Sequence, residues 1–335
     1  MASMNLATVM KNMTQEFIAD FVPPDDMEDL MTRDDRDLEE ILQIPLDDVH
    51  ASVVFRKVER EMGNFSLMDM EHHNVSDKRA YKKLFRKGAT TEELERELPR
   101  GAKLLSSMDE MKENLGKASQ KKMKTVYTKV KESLRLDVRR TTEVCVDDTM
   151  TEDMAPFFTQ ASEDDLNKLA PDSRGKILKA IGSDQVKSED EEAQPGEYVE
   201  GMTRKKLNSF LNVQLKTKGM DVKSKLSVDD VSEAGPYLFC GMDKAQEEKL
   251  SADVVKEFLH VFETCVQLEQ SVRQSLAQRA IQAAGGVDGL LEKPSVAKDL
   301  GTMLAYADLT ELDNLDQAGN TVSPRFNLFC FCHCL

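Results

Sequence analysis

The sequence predicts an all-α protein built as an armadillo/HEAT-like solenoid of helical repeats, and three observations lead there. Leu, Met, Lys and Glu dominate, tryptophan is absent, and no alternating run rich in Val, Ile and Thr stands out. That composition favours helix over strand. Serine and threonine residues followed within three positions by aspartate or glutamate mark helix starts along the chain, because a hydroxyl accepts from free helix N–H groups and early carboxylates complement the dipole. Thr203, Ser227 and Ser251 fall 24 residues apart, a step that fits one helix and its connection. Two such steps, 48 residues from Thr203 to Ser251, make a hairpin close to the roughly 40–47 residues of an armadillo or HEAT unit.

The chain has 335 residues, of which 40% are hydrophobic, enough for two ordinary domains or one long repeat array. The first 48 residues are strongly acidic. Within them Met31-Thr32-Arg33-Asp34-Asp35 reads as a capped start, and Leu38, Ile41 and Leu42 continue it as a short helix that Pro45 ends. The acidic run is a solvated face, since no loop offers alternating oxygen ligands with glycine at the sixth position. Glu71-His72-His73 is a surface pair, because neighbouring histidines point to different sides of a helix or strand.

From Asp77 to Arg140 the balance turns basic, and Lys112 to Arg140 holds ten Lys or Arg against three acids. Met123, Val126, Val130 and Leu134 give this stretch an apolar side. Its basic face is a solvated surface or a dock for a polyanion such as a sulfated glycan, with Lys121, Lys122, Lys124, Lys129 and Lys131 as candidate contacts.

Capped starts resume at Met150-Thr151-Glu152-Asp153 and at Ser162. From Asp164 the sequence predicts a short helix, a break at Pro171, and a second helix through Ile177, Leu178 and Ile181. Ser183 to Gly201 is rich in Glu, Asp, Ser and Gly and reads as an acidic linker. Beyond it, Val255, Phe258, Leu259, Phe262, Cys265 and Val266 form one apolar stripe at helical period, with the segment carrying Tyr237, Leu238, Phe239 and Cys240 as its partner. Gly285, Gly286 and Gly289 end the following helix.

A capped helix, then Gly235, Leu238, Cys240 and Gly241 in a Gly-x-x-Leu-x-Cys-Gly pattern, then a serine-capped helix near Cys265 and a further helix closing on Gly285, resembles the repeat of the mesothelin, stereocilin and otoancorin superfamily. A partial second copy begins at Asp299-Leu300-Gly301-Thr302-Met303-Leu304, with Ala305 and Tyr306 where cysteine and glycine would stand. The resemblance covers about Asp147 to Asp316. It implies an extracellular, armadillo-like protein of cell adhesion that binds matrix protein or glycan, and a disulfide between Cys240 and Cys265. From the residues alone, two buried thiols acting as small apolar groups fit these positions as well.

The organisation expected is a helical region over 1–146 with acidic then basic segments, a helical repeat over 147–182, the linker 183–201, mesothelin-like repeats over 202–316, and a disordered Cys-rich tail over 317–335 holding Cys330, Cys332 and Cys334. Three glycosylation sequons, at Asn12, Asn64 and Asn74, exceed the roughly one expected by chance and tilt towards secretion. The start lacks a signal peptide's basic and apolar segments, so the resemblance implies either a piece of a longer chain or an intracellular offshoot. The net charge of −16 argues against nucleic acid as a partner, and no apolar run is long enough to span a bilayer. Nucleophile elbows, phosphate loops and zinc helices are missing, which points to a non-enzymatic protein with no cofactor. The alternative function is an intracellular helical-repeat scaffold for a protein partner.

Overall fold

The computed structural model describes residues 10, 12–24, 44–62, 84–116, 118–138, 142–183, 197–286 and 301–307. Among them are sixteen α-helices, two 3₁₀ helices and no strand, so the all-α expectation holds. The chain divides into two compact units, the first comprising Met1–Ile181 with Val186–Glu192, the second Gly182–Gln185 with Ala193–Leu335.

In the first unit the helices are α1 (Gln15–Phe21), α2 (Asp48–Met62), α3 (Thr91–Glu97), α4 (Ala102–Leu105), α5 (Met108–Leu115), α6 (Gln120–Ser133), α7 (Asp148–Phe158), α8 (Glu163–Asn167) and α9 (Pro171–Gly182). Helix α6 is the organiser, packed on α3, α4 and α7. Its stripe of Met123, Val126 and Val130 is buried, together with Leu104, Phe157 and Phe158 from its neighbours. Tyr127 meets Phe158 edge-on, with ring centroids 5.4 Å apart, and its hydroxyl donates to Asp165 Oδ2 at 2.8 Å. Helix α7 is capped by Asp147, not at Thr151, which lies inside the helix and donates to the Asp148 carbonyl. An aspartate at the first non-helical position captures the Thr149 N–H and starts the helix early.

The second unit contains α10 (Glu197–Glu200), α11 (Arg204–Thr217), α12 (Val228–Ala234), a 3₁₀ helix (Pro236–Gly241), α13 (Lys244–Glu247), α14 (Ala252–Glu257), α15 (Leu259–Thr264), α16 (Gln270–Ala284) and a second 3₁₀ helix (Gly301–Tyr306). Thr203, Ser227 and Ser251 all cap helices, accepting from Lys206, Asp230 and Val254 N–H groups. The first 3₁₀ helix packs closely on α11. A Cβ at Gly241 would come within 2.4 Å of Leu207 Cβ and of the Asn208 nitrogen, so only glycine permits that approach. Gly285, left-handed at φ 100°, ends α16.

Both units contain an isolated parallel bridge closed over two capped helices. Val144 donates its N–H to the Lys168 carbonyl and accepts from the Ala170 N–H, forming an isolated parallel bridge to Leu169. Leu226 does the same with Lys249 and Ser251, bridging Leu250. Between the two halves of each bridge come a capped helix and a capped short one, α7 and α8 in the first unit, α12 and α13 in the second, where the first 3₁₀ helix stands between them. Each bridge leads into a further helix, α9 or α14. The partial copy read at Gly301 likewise forms a 3₁₀ helix, as Pro236–Gly241 does.

Two expectations are corrected. The stripe from Val255 to Val266 is two short helices, because Phe258 leaves helical geometry at φ −101° and ψ 17°. Cys265 is extended and ends α15, which leaves Val266 73% exposed. The acidic linker 183–201 contains a helical turn, Glu197–Glu200. The helix read at Met31–Leu42, the histidine pair, Gly289 and the Cys-rich tail lie outside the described residues.

Candidate functional site: a cystine staple and a basic cleft

Cys240, on the first 3₁₀ helix, and Cys265, just beyond α15, form a disulfide with Cα atoms 5.1 Å apart. Both are about 1% exposed, on segments whose Phe239, Leu259 and Phe262 are buried too. The bridge ties two segments that hold little helix of their own. The Cys265 carbonyl accepts from Arg273, whose guanidinium lies 5.3 Å from the centre of the Tyr306 ring, so the staple, α16 and the second 3₁₀ helix are linked. Cys145 is a free, exposed thiol.

Of the sequons, Asn12 is exposed in the turn before α1, whose cap is its own partner residue Thr14. Asn64 and Asn74 lie outside the described residues.

The five lysines read as polyanion contacts separate. Lys121 and Lys124 are exposed. Lys122 is buried and donates to the Arg86 and Lys87 carbonyls at 2.8 and 2.7 Å. Burial holds its ammonium below the usual lysine value, although Asp48 and Glu93 pull the other way. Lys131 pairs with Asp165 at 2.8 Å, and Lys129 is buried with Nζ 3.2 Å from Glu95. Lys122 and Lys131 therefore leave the polyanion set, because their stems run inward to internal acceptors. Asp165 is the hub of this network: burial raises its pKa, but hydrogen bonds from Lys131, Tyr127 and Ser162 outweigh that and hold it below 3.8.

Lys129 opens onto a cleft of about 320 Å³ lined by Arg100, Gly101, Glu132, Ser133 and Arg135 among others. The Gly101 N–H donates to Ser133 Oγ at 3.0 Å, joining its two walls. Neither Arg100 nor Arg135 has a side-chain hydrogen bond or ion pair among the described residues.

No group of three or more His, Cys, Asp and Glu that could hold a metal occurs among the described residues. The buried His50 contacts Asp47 at 2.8 Å through Nδ1, but its Nε2 is committed to the Val22 carbonyl at 2.8 Å and faces no nucleophile. Among the described residues, no helix is long and apolar enough to cross a membrane. No family model matches the chain, and no curated protein or solved structure matches it either.

Proposed function

We propose that this protein is a non-enzymatic adhesion protein of the cell surface or extracellular space, which binds glycan or matrix protein through a helical-repeat array of the mesothelin and stereocilin kind. The observation that carries this reading is the buried Cys240–Cys265 bridge. Disulfides of this structural kind form and persist in oxidising compartments, and this one joins Cys240 of the Gly-x-x-Leu-x-Cys-Gly pattern to Cys265, just beyond α14 and α15. The recurrence of one bridge-and-helix arrangement in both units supports the repeat architecture. The exposed sequon at Asn12 fits the same compartment.

Surface labelling of intact source cells with a membrane-impermeant amine reagent tests the proposal. Labelling together with a glycosidase-sensitive mass supports it. Protection from the reagent until the cells are permeabilised, with an unmodified Asn12, overturns it.

A further inference from the structure

We propose that the cleft between Arg100, Lys129 and Arg135 binds an anionic saccharide, holding one sulfate group between the guanidinium groups. The inference rests on the extracellular reading above and gives its glycan a chemistry and a place.

The first argument is the backbone of Arg135. Helix α6 ends in a Schellman arrangement: the Arg135 N–H donates to the Glu132 carbonyl at 3.0 Å and the Leu136 N–H to Lys131 at 2.9 Å. Arg135 thus occupies the left-handed position that glycine fills most easily, at φ 57°, and it is the one non-glycine residue with positive φ among those described. The local fold gains nothing from a long side chain there. What the side chain does is line the cleft.

The second argument is the distribution of charge. Arg100 and Arg135 bring guanidinium groups that have no partner among the described residues, and guanidinium presents paired donors matched to an oxyanion. Lys129 is only 5% exposed, and its partners Glu95 and Glu132 are 62% and 54% exposed, at 3.2 and 4.0 Å. These are rim pairings that an incoming anion can replace. Glu132 and Ser133 add acceptors for sugar hydroxyls. The size is at the lower end of ligand cavities, which run from about 300 to 1,000 Å³, and suits a short saccharide. An extended polyanion is disfavoured both by Glu132 within the cleft and by the chain's net charge of −16.

The test is calorimetric titration of the full chain with a sulfated glucosamine–uronate disaccharide, its desulfated counterpart and inorganic sulfate. The sulfated disaccharide is expected to bind more tightly than either of the others. The substitutions Arg100→Gln and Arg135→Gln should each weaken it about tenfold, as loss of a charged hydrogen bond implies. Lys121→Gln with Lys124→Gln should change it less than about twofold. Arg135→Gly separates binding from folding, since it should weaken the ligand while raising the thermal midpoint. Absence of wild-type binding at about 10 mM, equal binding of the desulfated sugar, binding of sulfate alone as tightly as the disaccharide, or an equal loss in the lysine variant would overturn the assignment. Surface labelling is read separately, so an empty cleft would leave the adhesion reading standing.

Discussion

Glu247→Gln is the sharpest probe of how the second unit is held together. The Glu247 side chain is 1% exposed, and its carboxylate accepts from Arg279 at 2.5 Å, Lys244 at 2.6 Å and Ser275 at 3.0 Å. Arg279 also donates to the Glu247 and Leu250 carbonyls, so one carboxylate fastens α13 and the bridge residue Leu250 to α16. An amide in its place keeps the shape but turns an N–H group towards one of the cations. Lys244 is half exposed and counts for little. The Arg279 contact is worth about 2 kcal/mol and the serine about 1 kcal/mol, for a total of about 3 kcal/mol and a fall of roughly 6–12 °C in midpoint. Urea unfolding at neutral pH measures this, with the exposed Glu248→Gln expected to stay within about 0.5 kcal/mol of wild type. The pH dependence has a definite sign. Burial raises the Glu247 pKa, but the hydrogen bonds from Lys244, Arg279 and Ser275 outweigh it and bring it below 4.5. A folded value below the unfolded one gives stability that is present above pH 4.5 and lost as the pH falls through the folded value. The gap between wild type and variant should therefore close on acidification. A variant as stable as wild type at neutral pH, or a gap that widens in acid, would refute the reasoning.

Gly241→Ala should cost about 3 kcal/mol in chemical denaturation, because its Cβ meets the backbone and Cβ atoms of α11 rather than a movable side-chain end. Tyr127 is pushed above the normal phenol range by burial and by its bond to Asp165, so an alkaline absorbance titration should show one tyrosine that ionises only as the first unit unfolds. Tyr127→Phe should cost about 1 kcal/mol by removing one of the Asp165 donors. Arg135→Gly should stabilise by about 0.5–1 kcal/mol in thermal unfolding, the left-handed penalty less the added freedom of glycine in the unfolded chain.

Helix starts were the most legible feature, since a cap is a local event: Thr203, Ser227 and Ser251 needed only their own hydroxyls and the next turn. Asp147 was missed in favour of Thr151 because both are followed by carboxylates, and only the backbone shows which one is non-helical. The apolar stripe of α6 was readable from its spacing. The fate of the lysines beside it was not, because Lys122 is buried by carbonyls of Arg86 and Lys87, far away in sequence. Asp165 and Glu247 sit in acidic runs that look like solvated faces, and their burial depends on Lys131, Tyr127 and Arg279 arriving from other helices. The cystine came from the resemblance, and the break at Phe258 from nothing in the pattern. Arg135 gave no warning either, since the usual glycine signal for a helix end is absent from Leu134-Arg135-Leu136.

An extracellular place for this protein requires Cys240 and Cys265 to be joined in the protein as its source makes it. Alkylation at the moment of lysis, digestion without reduction and mass mapping answer this directly. The expected result is a linked pair of peptides carrying Cys240 and Cys265, with Cys145 alkylated. Full alkylation of Cys240 and Cys265 would contradict it and return the chain to the intracellular scaffold reading.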